Sequence, residues 1–166
     1  TLGCVHIICT DKTGTLTKNE MTATYVMTSE SFQAEVTGVG YESMGDIMLQ
    51  NLDIDQSRQL ESIKRMVTAA CICNNARFDS TGHLIGQATE GAILVLARKL
   101  NIGDVRDQYR RLEEIPFSSE QKFMAVKCYS FRNDPSDYKF VGTNYFVKGA
   151  IEVLLQRCKY YLDSGS

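Results

Sequence analysis

An aspartate that ends an apolar run is placed to do chemistry. Asp11 follows the run Val5 to Cys9 and opens the heptad Asp11-Lys12-Thr13-Gly14-Thr15-Leu16-Thr17. A β-branched strand that stops at an Asp presents the carboxylate at the carboxyl edge of a sheet, where open α/β folds bind ligands. Such a carboxylate can attack a phosphoryl group and form an acyl phosphate, dividing one hard displacement into two easier ones. Lys12 adds positive charge beside the accepting oxygen, and Gly14 permits a turn barred to other residues. Thr13, Thr15 and Thr17 offer hydroxyls and backbone groups to phosphate and Mg²⁺. A carboxylate and a triphosphate repel each other, so the chemistry implies bound Mg²⁺. The plain alternative is a turn after an ordinary strand, since Asp, Gly and Thr are common turn formers.

Three further strings stand downstream: Gln87-Ala88-Thr89-Glu90-Gly91-Ala92, the run Ile115-Pro116-Phe117-Ser118-Ser119-Glu120-Gln121-Lys122 with its continuation to Lys127, and Phe146-Val147-Lys148-Gly149-Ala150. Together with Thr10 to Thr17, and with Thr1-Leu2-Gly3-Cys4 leading in, they resemble P-type ion-transporting ATPases over nearly the whole chain. Phe117 to Lys122 and Glu35-Val36-Thr37-Gly38-Val39-Gly40-Tyr41 are most similar to the secretory-pathway Ca²⁺/Mn²⁺ pumps. The resemblance implies an α+β fold, a mainly antiparallel sheet flanked by helices, with a short N-terminal piece of the α/β phosphorylation domain. Residues 1–20 would be the edge of that domain and 21–166 the nucleotide-binding domain.

An adenine needs an apolar or aromatic slot, a polar group at its exocyclic edge and cations near the phosphates. Phe117, after Pro116 at a strand end, would supply the slot, although most strand aromatics are core residues. Glu90, at the start of a helix, would cap free N–H groups in the ordinary case. By resemblance Thr89-Glu90-Gly91-Ala92 is the motif whose Glu reaches the adenine amine, and capping and binding are compatible. Lys122 and Lys148 are the expected cations, although a lone Lys is ordinarily a solvated charge. Gly149 after Lys148 lets backbone approach a ligand, and the family's Lys-Gly-Ala lines its nucleotide pocket. Ser119 departs from the reticulum calcium pump, which has an Arg there, so phosphate or ribose contacts at that point are expected to be weaker.

The resemblance makes Asp11 the phosphorylated residue, with Lys12, Thr13, Gly14 and Thr15 beside phosphate. In the intact pump Asp11 and the Thr13 backbone would hold Mg²⁺. The later Lys and Asp pair that complete a haloacid-dehalogenase-type active site do not follow. Gly103-Asp104-Val105-Arg106-Asp107 mimics the spacing of such a pair but lies among polar residues, and it reads as surface. The chain is therefore expected to bind ATP without catalysing its transfer. Its expected partners are ATP and the phosphorylation, actuator and transmembrane domains of the same pump, with Ca²⁺ or Mn²⁺ bound elsewhere. Two other readings stay open. A free-standing phosphatase of that superfamily usually carries an acid two positions after the nucleophile, where this chain has Thr13. A non-catalytic interaction module would not respond to ATP.

The composition agrees with one domain of something larger: 166 residues, 43% apolar and 23% charged, with no initiator Met, signal peptide or stretch suited to a membrane helix. With 18 basic against 20 acidic residues there is no field for nucleic acid. Six cysteines without C-x-x-C pairing indicate neither zinc nor a disulfide framework. Cys4, Cys9, Cys71, Cys128 and Cys158 lie in apolar runs, where buried free thiols are expected. Reduced thiols fit the cytosolic face of a membrane, and the resemblance makes that membrane Golgi-type. His6 and His83 lack a second ligand and read as structural or surface residues.

Stepping along the chain, Met21 to Ser29 and Phe32 to Val36 read as extended, with a hairpin turn at Gly38-Val39-Gly40. Gln50 to Gln56 is polar. Leu60, Ile63, Val67, Ala70 and Cys71 predict a helix stopped at Asn75. Arg77 to Asp79 and His83 to Ile85 form a short hairpin, and Thr89 opens a second helix. A polar helix is expected around Val105 to Arg111, then strands Leu112 to Phe117, Phe123 to Phe131 and Tyr138 to Val147, the last two joined by a turn at Asn133 to Asp137. A final helix would run from Ala150 through Cys158 and Tyr161.

Overall fold

The computed structural model describes residues 7, 9–12, 17–50, 53, 55–131 and 142–162. The central element is helix α1, Gln56–Ile72. Asp55 starts it by accepting the N–H of Ser57 at 2.9 Å, which satisfies one of the donors every helix start leaves free. Its buried residues Gln59, Ile63, Val67 and Cys71 recur every fourth position, so one face points inward along the whole length. Helix α2, Ala88–Lys99, packs beside it and ends on Arg98 and Lys99, favourably placed against the helix dipole.

Three antiparallel strands form the main sheet: β6 Tyr109–Ile115, β7 Phe123–Ser130 and β8 Gly142–Gly149, with β7 in the middle. Met124, Val126 and Cys128 alternate inward along β7 and join Ile63, Val67, Leu96 and Phe146 in the core. A second sheet, β1 Tyr25–Met27, β2 Gln33–Val36 and β3 Ile47–Leu49, reaches the same core through Val26, Ala34 and Val36. The short hairpin β4 Arg77–Phe78 and β5 Leu84–Ile85 lies between α1 and α2 in sequence. The α+β class and the antiparallel sheets are as expected.

Several elements differ from the sequence reading. The polar helix is one 3-10 turn, Arg106–Gln108, and β6 begins at Tyr109. The alternation is disguised because a charged residue, Arg111, faces partly inward. Strand β3 was not anticipated, since Ile47-Met48-Leu49 is a contiguous apolar triplet inside a polar stretch. Gly38 and Gly40 do belong to a hairpin connection, but to the long one between β2 and β3. Helix α1 stops at Ile72, before Asn75. The last helix, α3, is only Ile151–Leu155. Both of those apolar end residues are exposed, so little packing holds a longer helix. Cys71, Cys73 and Cys128 are buried free thiols, but Cys9 and Cys158 are exposed. Cys4 and the turn at 133–137 lie outside the described residues.

Candidate functional site

Several segments, Asn75 among them, meet at a cleft of about 660 Å³. Pro116 and Phe117 reach it from beyond the end of β6, Thr89 and Glu90 from the first turn of α2, Lys122 from the β6–β7 turn, and Lys148 to Ala150 from the end of β8. Ile93 and Met124 add apolar floor. Every nucleotide-binding candidate drawn from the sequence lines this one cleft: Thr89, Glu90, Phe117, Lys122, Lys148 and Gly149.

Phe117 is 51% exposed, so its ring is not the core residue that a strand aromatic usually is. A half-bare aromatic wall facing an apolar floor is a stacking surface. Glu90 is the opposite case, a carboxylate only 6% exposed. Burying a charge is costly unless it is paired and hydrogen-bonded. Glu90 Oε1 accepts the backbone N–H of Asn75 at 3.2 Å and forms an ion pair with the Lys148 ammonium. These bonds leave α2 for other segments, so holding the carboxylate at the cleft takes precedence over capping its own helix. Lys148 balances Glu90, which places its charge at the carboxylate end of the cleft.

Lys122 has a different setting. Its φ is 55°, a left-handed conformation that costs a non-glycine residue about 1–2 kcal/mol. The turn is held by the Lys122 N–H donating to Ser118 O at 2.8 Å and by Ala150 N donating to Lys122 O at 2.9 Å. The side chain is exposed and meets Glu152 only at 3.8 Å. Gly149 explains how β8 closes on this turn. A Cβ there would stand 2.4 Å from Lys122 O and 2.6 Å from Phe123 Cβ, so the close approach admits only glycine. Ser119 is exposed.

The heptad does not share the cleft. Asp11 and Lys12 are exposed and do not line it, while Thr13, Gly14, Thr15 and Leu16 lie outside the described residues. Thr17 donates its N–H to Lys12 O at 3.2 Å. No group of three or more His, Cys, Asp or Glu suited to a metal occurs among the described residues. Asp104 is exposed and bonded to Arg106, whose guanidinium holds its carboxyl below the usual range. Its neighbour Asp107 is exposed too, in agreement with the surface reading.

Sequence reasoning missed the support behind Glu90. Asn74 Nδ2 donates to Glu90 O at 3.0 Å, and its Oδ1 accepts Ala76 N–H at 2.9 Å. Asn75 bonds Glu114 Oε1 at 2.7 Å through its side chain. Arg111 donates to the carbonyls of Ile72 at 3.0 Å and Asn74 at 3.1 Å. In sequence Asn75 reads as a helix stop, and Arg111 as part of a polar helix. Only their tertiary neighbours distinguish them from either.

Residues 62–166 match the family described as P-type ATPase, cytoplasmic domain N. The whole chain is similar to calcium-transporting ATPase type 2C member 2 of Mus musculus, 46% identical over 166 residues that cover 99% of this chain and 17% of the relative. Type 2C member 1 of Bos taurus is 43% identical with the same coverages, 99% and 17%. A calcium-transporting ATPase of Bacillus subtilis (strain 168) is 37% identical over 171 residues, 100% of this chain and 18% of the relative. The chain thus spans less than a fifth of the length of these relatives.

Proposed function

We propose a function from the premise that the chain belongs to the P-type ATPases and forms their cytoplasmic domain N: its cleft binds ATP. The observation that carries this reading is the convergence of Phe117, Glu90 and Lys148 on one cleft, from segments far apart in sequence. Adenine stacks on Phe117 and offers its exocyclic amine to Glu90, a carboxylate held in place by Lys148 and the Asn75 N–H. The exposed Lys122 ammonium serves the phosphates, and Thr89 and Gly149 shape the walls.

In the intact protein, residues 1–20 belong to the phosphorylation domain and 21–166 to the nucleotide domain. Asp11 accepts the γ-phosphoryl group there, with Lys12, Thr13, Gly14 and Thr15 around it. Mg²⁺ would neutralise the triphosphate beside Asp11 and the Thr13 backbone. Its remaining ligands would come from other parts of the pump. The relatives' calcium transport supports Ca²⁺ as the cargo. Mn²⁺ and a Golgi-type membrane, with this domain on its cytosolic face, extend the secretory-pathway reading. No helix among the described residues is long and apolar enough to cross a membrane.

NMR titration with ATP tests the cleft. The expected outcome is perturbation centred on the amides of Glu90, Phe117 and Lys148. Unchanged amides at all three would refute nucleotide binding and leave the interaction-module reading standing.

A further inference from the structure

We infer that Arg111 is a positioning residue for base selectivity, acting on Glu90 through the single peptide unit between Asn74 and Asn75. The inference rests on the reading of the cleft as an adenine-nucleotide site. A trans peptide is planar, and its C=O and N–H point in opposite directions. Here the carbonyl of that unit accepts Arg111 Nη2 at 3.1 Å, while its N–H donates to Glu90 Oε1 at 3.2 Å. Orienting one end therefore orients the other. A charged donor on the carbonyl also polarises the unit, which strengthens the bond its N–H makes.

Arg111 fixes this peptide from several sides. Nη2 also holds the Ile72 carbonyl at 3.0 Å, at the end of α1, and Nη1 bonds both the Asn75 side chain at 2.5 Å and Glu114 Oε2 at 2.8 Å. Asn75 Nδ2 closes the ring on Glu114 Oε1 at 2.7 Å. A guanidinium supplies this planar fan of donors, and an ammonium cannot reproduce it. Arg111 does not line the cleft. Its effect on a nucleotide passes through Asn75 and Glu90, whose carboxylate must face the amine of the base.

Base selectivity separates positioning from folding. ITP carries an oxygen where ATP carries the amine, so the ratio of their affinities reads the Glu90 contact, while general damage lowers both together. Equilibrium binding of ATP and ITP would be measured on the full-length protein for wild type, Arg111→Met, Arg111→Lys, Glu90→Gln and the Arg111→Met/Glu90→Gln double variant. Wild type should favour ATP by about 10-fold or more, the worth of a hydrogen bond to a charged group. Arg111→Met should lose most of that ratio with ITP affinity little changed, and the double variant should match Glu90→Gln alone. Arg111→Lys, the milder change, should recover the ratio only in part, and it carries the test if the Met variant fails to fold. A wild-type ratio in either Arg111 variant, or parallel losses for ATP and ITP, would overturn the inference. Failure of wild type to bind ATP would instead remove the nucleotide reading beneath it.

Discussion

Phe117 and the cysteines make opposite statements about exposure. An aromatic ring left 51% exposed beside an apolar floor waits for a flat partner. Phe117→Ala should weaken ATP binding by about 1–3 kcal/mol, the range found when bases lose an aromatic platform. Isothermal titration would measure it, and an unchanged affinity would move the base off that ring. The thiols are closed off instead. Burial pushes the Cys71 thiol up to about 12 and raises those of Cys73 and Cys128 as well. A thiolate is the reactive form, so all three should resist alkylation in the folded chain at pH 8, while exposed Cys9 and Cys158 react. Mass spectrometry after a short pulse of iodoacetamide would count them. The same shift carries a sign for stability. The unfolded Cys71 loses its proton near 9 and the folded one near 12, so the neutral buried thiol costs nothing below pH 9. Above it the unfolded state is favoured increasingly until pH 12.

Elements were legible where their pattern depended on local spacing. Ile63, Val67 and Cys71 mark the buried face of α1 at helical intervals, and that helix begins where the polar stretch Gln50 to Gln56 ends and stops three residues short of Asn75. Its cap is local too. Asp55→Ala should cost about 0.5–2 kcal/mol in a denaturant melt, with little direct effect on the cleft, because one backbone donor loses its acceptor. The missed elements depended on tertiary partners. Arg111 looks like part of a polar helix until Ile72 and Asn74 offer it carbonyls, and those lie nearly forty residues away in the chain. Ile47 to Leu49 is too short to declare itself before β2 pairs with it. The candidate site was legible for a different reason: Glu90, Phe117 and Lys148 sit in strings that resemble a family. The composition of the chain alone would have left Phe117 in the core and Lys148 in solvent. Its buried pairing of Lys148 with Glu90 was visible only once α2 and β8 were in place.

At the scale of the whole molecule, the separation of the proposed nucleotide cleft from Asp11, the proposed phosphate acceptor, decides what the chain can do alone. The cleft is assembled from residues 75–150, whereas Asp11 is exposed and apart from its lining. A carboxylate attacking a polyanion needs cations placed in advance, since electrostatic preorganisation ordinarily supplies much of the rate. The cations Lys122 and Lys148 line the cleft, and Asp11 does not. The 166-residue chain should therefore bind ATP yet neither hydrolyse it nor take up its γ-phosphoryl group. In the full-length pump the same residue should become essential. Asp11→Asn keeps the size and shape of the side chain but removes the nucleophilic charge, so it should abolish the acid-stable phosphoenzyme and ion transport while ATP binding persists. Incubation with γ-labelled ATP and Mg²⁺, followed by acid precipitation, separates these outcomes. Label on Asp11 of the isolated chain would mean that its active site is already complete. Label retained by the full-length Asn variant would mean that another residue is the acceptor.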